Sequence, residues 1–84
     1  MEIRKILADN LKATRKRQGM SQEELAHQAE IDRTYISSLE RCVYGATIDV
    51  VDRLAKVLGV SAAQLLTARG KTEVKPRPGK PDGA

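Results

Sequence analysis

The stretch from Arg33 to Arg41 has side chains suited to contacting the edges of base pairs. If this stretch is a helix with Ile36 and Leu39 facing inward, its opposite face carries Arg33, Thr34, Ser37, Ser38 and Arg41. These residues are hydrogen-bonding groups, and none is a carboxylate. Arg33 could bind guanine through two hydrogen bonds, and Thr34 offers thymine a methyl group as well as a hydroxyl. The pattern predicts a face that reads DNA bases.

The first half of the chain has the spacing of three helices that could position this face. The apolar residues Ile3, Ile6, Leu7 and Leu11 predict a helix with one buried stripe, which ends at Gly19. Ser21 and Glu24 have the spacing of a capping box, which predicts a second helix running to about Ala29. Asp32 can cap the third helix, which we expect to end near Arg41.

Two further helices are predicted in the second half. Thr47 can cap a fourth helix that closes at Gly59 and whose inner face is formed by Val50, Val51, Leu54, Ala55 and Leu58. Ser61 and Gln64 have capping-box spacing and open a short fifth helix that bears Leu65 and Leu66. No period-two alternation occurs, so the predicted fold class is all-α with five helices.

The composition narrows the possible functions. The chain has 84 residues with a net charge of +4, and it lacks an apolar run of the ~18 residues that cross a membrane, so we expect one cytoplasmic domain. One cysteine, Cys42, and one histidine, His27, cannot form an internal disulfide or a four-ligand zinc site. No nucleophile with its base is evident. We therefore expect no enzyme activity, cofactor or metal, and no small-molecule ligand is evident.

The prolines divide the chain into two parts. All three lie after residue 75, in a segment rich in glycine and lysine with almost nothing to bury. We predict a folded domain over residues 1–69 and a disordered tail over residues 70–84.

The two middle helices are separated only by Glu30 and Ile31, a spacing typical of a helix-turn-helix. The chain resembles the Xre family, the Cro/cI-type helix-turn-helix regulators, over roughly residues 5–67. Three blocks carry the resemblance: RKRQGMSQEELA at 15–26, IDRTYISSLER at 31–41 and LAKVLGV at 54–60. It implies a lambda-repressor-like fold and a homodimeric transcription regulator that binds two-fold-related DNA half-sites with its third helix in the major groove.

The resemblance also implies roles other than base reading. Phosphate contacts fall to Gln22, Arg41, Tyr44 and Thr47, and Lys16 from the basic end of the first helix is a further candidate. Arg15 and Glu40 are expected to form a structural ion pair. Val60, Leu65 and Leu66 are too many for so small a core to cover, and we expect them at a dimer interface.

The sequence leaves more than one function possible for this fold. Within the family, the DRTYIS string at residues 32–37 is also similar to restriction–modification controller proteins, while a generic phage or bacterial repressor remains possible. A different class would be an antitoxin-like or adaptor module that binds protein through the same fold. The lack of a large apolar anchor on the Arg33–Arg41 face favours DNA. Glu30, Cys42 and Ala46 replace residues common in the family, namely two glycines and a proline.

Overall fold

A computed structural model describes residues 3–68 of the chain. In order, these residues form α1 (Ile3–Arg17), α2 (Gln22–Ala29), α3 (Arg33–Glu40), α4 (Ile48–Leu58) and α5 (Ala62–Leu65). No strand occurs within 3–68, and the all-α, five-helix prediction is confirmed. No helix in this range is long and apolar enough to cross a membrane. The predicted tail, residues 70–84, and the predicted boundary at residue 69 lie outside the described residues.

The helices begin at the predicted caps. The side chains of Asp32 and Thr47 accept the backbone N–H groups of Thr34 at 2.9 Å and Val50 at 3.2 Å. Ser61 and Gln64 form both halves of a capping box, at 3.0 and 2.8 Å. Each bond satisfies an N–H group that would otherwise lack a partner at a helix start.

The capping box predicted for α2 is only half formed. Ser21 Oγ accepts the backbone N–H of Glu24 at 2.9 Å. The Glu24 carboxylate accepts instead from the side-chain amide of Gln28, one turn further along the helix. The described hydrogen bonds of the Glu24 side chain therefore run along α2, and none returns to the backbone N–H of Ser21.

The ends of α1 and α4 use glycine for its backbone freedom. Gly19 and Gly59 have φ of 69° and 72°, where a side chain would be strained. The residues that follow donate back into the helices, Met20 N to Arg15 O at 3.1 Å and Val60 N to Ala55 O at 3.0 Å. These bonds reverse the chain direction sharply, which lets the next helix pack against the previous one.

Every helix contributes to a single apolar core. Its largest fully buried side chains are Leu11, Leu25, Ile36, Leu39, Leu54 and Leu65. Burying one such side chain contributes roughly 1.5–3 kcal/mol. Within this core α3 packs against α1 and α2, and α5 packs against α1 and α4. The core therefore fixes the orientation of α3 relative to the start of α2.

The buried stripe of α1 begins later than predicted. Ile3 is 49% exposed and Ile6 is half-buried, whereas Leu7 and Leu11 are buried. Ile3 lies in the first turn of the helix, beyond the part that the other helices cover. Its inclusion in the buried stripe was wrong, and it lines a surface groove instead.

Candidate nucleic-acid interface

The turn between α2 and α3 sets the angle at which α3 is presented. Glu30 adopts a left-handed conformation with φ 58° and ψ 46°. Ile31 N donates to Ala26 O at 2.9 Å and closes the end of α2. Because Glu30 has a Cβ, this conformation costs on the order of 1 kcal/mol. The turn is nevertheless formed, so α3 starts two residues later at its cap, Asp32.

The exposed face of α3 carries most of the predicted base-contacting residues. Arg33 and Thr34 are exposed in its first turn, and Ser37 is half-exposed one turn later. Arg41 is exposed and ends the helix as its C-cap. These side chains share one side of α3, opposite to Ile36 and Leu39, and they present hydrogen-bonding groups to solvent.

Ser38 does not belong to this exposed face. It is only 4% exposed, so the prediction that it lies on the open face with Arg33, Thr34 and Ser37 was wrong. The chain turns back after α3, and Val43 N donates to the backbone carbonyl of Ser38 at 2.9 Å.

Arg15 and Glu40 lie against each other between α1 and α3. Arg15 Nε and Nη2 donate to the two carboxylate oxygens of Glu40 at 2.7 and 2.9 Å, and Nη1 donates to Met20 O at 2.7 Å. Both side chains are almost completely buried, with exposures of 9% and 3%. This two-point geometry is the strong form of an arginine–carboxylate contact. It removes the only carboxylate of α3 from the surface.

The pKa directions agree with a charged pair. Burial alone would raise the pKa of Glu40, but hydrogen bonds from Arg15 and Gln22, together with the charges of Arg15 and Lys12, hold that pKa below its usual value. The hydrogen bond to Glu40 raises the pKa of Arg15. Glu40 is therefore ionised at neutral pH and fixes its partners.

Gln22 is one of these partners, and it is also a predicted phosphate contact. Its Nε2 donates to Glu40 Oε1 at 3.0 Å. A side-chain amide has two N–H groups, so one remains to meet a ligand. Gln22 is the first residue of α2 and is half-exposed. Glu40 thus orients an amide at the edge of the α3 surface.

The remaining predicted phosphate contacts are spread around α3. Lys16 is exposed in the last turn of α1, and Tyr44 is exposed in the loop between α3 and α4. Thr47 is exposed, and its hydroxyl oxygen already accepts from Val50 N, which leaves its O–H free to donate. The same loop contains Cys42 with φ 61°, a second left-handed residue that is not glycine.

The predicted dimer interface is only partly available. Leu65 is 1% exposed and belongs to the core of its own chain, so the expectation that the core leaves it uncovered was wrong. Asn10 accounts for this placement, because its Nδ2 donates to Leu65 O at 2.9 Å and Thr67 O at 2.7 Å and ties the end of α5 to α1. Val60 and Leu66 are half-buried.

A different apolar surface is exposed, and no pattern in the sequence predicted it. Ile48 is 82% exposed at the start of α4. It borders a groove of about 460 Å³ that also contains Ile3, Leu7, Val51 and Leu66. Ile48 immediately follows the cap of α4 and precedes the predicted inner stripe, and this position was the only sequence signal for its exposure.

Comparisons with known proteins agree with this geometry. The family described as Helix-turn-helix (HTH_3) matches residues 11–65. A hypothetical transcription factor of Neisseria meningitidis is 43% identical over 65 residues, which are 77% of this chain and 61% of that protein. The control protein C.SmaI of Serratia marcescens is 41% identical over 70 residues, 83% of each chain. The chain thus spans about three fifths of the first relative and most of the second.

Solved structures extend the comparison to the fold. The crystal structure of the Neisseria factor has a TM-score of 0.78 at 42% identity, covering 80% of this chain and 77% of that one. The biofilm regulator SinR, solved in complex with DNA, has a TM-score of 0.70 at 34% identity, covering 73% of this chain and 98% of that one. The relatives are named as transcription factors, control proteins and transcriptional regulators, and none is named as an enzyme. The chain belongs to the Xre-like helix-turn-helix family of DNA-binding transcription regulators.

Proposed function

We propose that this chain binds double-stranded DNA sequence-specifically as a homodimer, with α3 in the major groove of each half of a roughly palindromic operator. The observation that carries the proposal is the exposed face of α3, where Arg33, Thr34 and Ser37 stand clear of any carboxylate within the helix. The structure of SinR with DNA supports it, because that fold is shared at 34% identity.

Roles within the surface follow from side-chain chemistry. Arg33 is the residue for guanine, and the short hydroxyl groups of Thr34 and Ser37 complete the base contacts. The surrounding residues position the protein on the backbone: Gln22, Arg41, Tyr44, Thr47 and Lys16. Ser38 has no part in this surface because it is buried.

The dimer would form through the apolar groove around Ile48 and Leu66, and Val60, which borders a different cleft, would extend the interface beyond it. Ile48 is 82% exposed and shares this groove with Ile3, and a contiguous exposed apolar surface is typical of an interface. A two-fold axis places the same patch of each copy against the other. Leu65 is not part of this interface, because it is buried in the core of its own chain.

Half-site spacing tests the homodimer on a palindrome. Sequences selected from a random duplex library supply the operator, in which we expect half-sites centred about 10 base pairs apart. Inserting about five base pairs between them turns one half-site to the opposite side of the duplex and should remove most of the specific affinity. The same five base pairs added outside the two half-sites are the matched control for length and should leave the affinity unchanged. Equal affinity for the original and the widened spacing would contradict the proposal.

A further inference from the structure

Arg4, in the first turn of α1, lies directly against the loop between α3 and α4. A Cβ built on Gly45 in that loop would stand 2.9 Å from Arg4 Nε and 3.6 Å from its Cζ. Gly45 does not have a positive φ, so its backbone conformation does not require glycine. The absence of a side chain at Gly45 instead leaves room for the guanidinium.

The charge of Arg4 is available to a ligand. Arg4 is exposed, and it forms no ion pair with any residue in 3–68. Its neighbour Lys5, by contrast, is paired with Asp9 at 3.2 Å.

The acidic residues of α4 lie on a different surface. Asp49 and Asp52 border a cleft together with Arg53 and Lys56, whereas Arg4 borders the groove that also contains Ile48. Within that groove Arg4 lies against Gly45 of the α3–α4 loop, and the proposed dimer covers the part around Ile48. The position of Arg4 therefore combines a cation that has no acidic partner among residues 3–68 with a loop that already carries exposed Arg41 and Tyr44.

We propose that Arg4 binds a DNA phosphate beside the α3–α4 loop and that Gly45 is the positioning residue that seats it there. The inference rests on the proposed function, and it extends the DNA-binding surface from the helix-turn-helix onto α1. A guanidinium can donate two parallel hydrogen bonds to phosphate oxygens. The loop continues directly from α3, which favours DNA over a carboxylate of a second copy as the partner of Arg4.

The salt dependence of binding tests the phosphate contact. We compare the full chain with Arg4→Ala on a duplex of mixed sequence over a range of salt concentrations. Each phosphate contact contributes about 0.9 to the slope of log K against log salt concentration, so the slope should become shallower by about that amount per protomer. Between about 50 and about 200 mM salt, the wild-type affinity should fall roughly threefold more per lost contact than the variant affinity.

Lys56→Ala is the matched control. It removes the same charge from an exposed side chain that is paired with Asp52 at 3.2 Å on the other surface of α4. We expect its slope to equal that of the wild type.

Gly45→Ala tests the seating of Arg4. The new Cβ would collide with a flexible side chain and not with backbone, so the domain should fold while the guanidinium is displaced. We expect Gly45→Ala to make the slope shallower by the same amount as Arg4→Ala, with no further change in the double variant. Additive effects of the two substitutions would overturn the positioning role of Gly45.

The remaining outcomes separate this inference from the proposed function. A wild-type chain that binds duplex DNA while Arg4→Ala keeps the same slope would overturn the inference alone. A slope that is unchanged, together with loss of dimers in sedimentation, would overturn it in favour of a contact between copies. A wild-type chain that binds no duplex would overturn both.

Discussion

At the scale of single residues, the Arg15–Glu40–Gln22 cluster links stability to DNA binding. Glu40 accepts from both of the other side chains, and it is buried together with Arg15. It therefore holds α1 to α3 and at the same time orients the first residue of α2. A change at Glu40 should be felt in the free energy of unfolding and at the edge of the DNA-binding surface.

Glu40→Ala should destabilise the domain by about 3 kcal/mol, because a buried guanidinium is left without its partner. Thermal melts of Glu40→Ala, Arg15→Ala and the double variant measure the coupling between the two side chains. We expect the double variant to be much less destabilised than the sum of the single variants. Strictly additive effects would mean that the pair does not contribute as a pair.

An exposed ion pair is the control for the general effect of removing a charge. Asp9→Ala breaks the exposed Lys5–Asp9 pair and should change stability by less than about 1 kcal/mol.

The pH dependence of stability gives a second test of Glu40. In the wild type, Glu40 has a lowered pKa in the folded state, so its contribution to the free energy of unfolding is present above its unfolded pKa. That contribution is lost as the pH falls through the folded pKa. Glu40→Ala should lack this part of the acid-side loss of stability.

At the scale of secondary structure, local patterns were enough to predict where most helices begin and end. Asp32, Thr47 and Ser61 cap helices as expected, because the cap bond joins residues two or three positions apart in the chain. Sequence could not predict that Glu24 would bond along the helix to Gln28 instead of back to Ser21, or that Ser38 would be buried. The direction of the Glu24 side chain is a choice between rotamers, and the burial of Ser38 depends on tertiary packing.

The left-handed residue between α2 and α3 offers a test at the same scale. Glu30→Gly should stabilise the domain by about 1 kcal/mol, because glycine adopts φ 58° without steric strain. The measurement is a thermal or denaturant melt. His27→Gly, in the ordinary helical part of α2, should instead destabilise by roughly 0.3–0.5 kcal/mol, the difference in helix propensity between histidine and glycine. A loss of stability in Glu30→Gly would mean that the Glu30 side chain contributes more than the strain costs.

At the scale of the whole molecule, the core was predictable but its outer boundary was not. Leu11, Leu25, Ile36 and Leu54 follow helical spacing and are fully buried, as that spacing indicates. Periodicity shows which side of a helix is apolar, but it does not show how far the neighbouring helices reach. Ile3 was therefore predicted to be buried but extends past the core. Leu65 was predicted to be uncovered but is tied into the core by Asn10.

Introducing a charge at an exposed and at a buried apolar residue should have different effects, the first on dimerisation and the second on folding. Ile48→Asp should leave the monomer folded, because the side chain is 82% exposed, and should shift the chain from dimer to monomer. Sedimentation at micromolar concentration, together with a thermal melt, measures both properties. Leu65→Asp should unfold the domain, because it places a charge in the core. A dimer that survives Ile48→Asp would contradict the interface proposed here.

Substituting Arg33 tests most directly whether α3 contacts base pairs through its exposed face. Affinities of the wild type and Arg33→Ala are measured on the selected operator and on a panel of its single-base variants. We expect a loss of about 1–3 kcal/mol on the best operator, with relaxed preference at one base pair in each half-site and little change in non-specific binding. An equal loss of affinity on every sequence would contradict it, because Arg33 would then contact only phosphate.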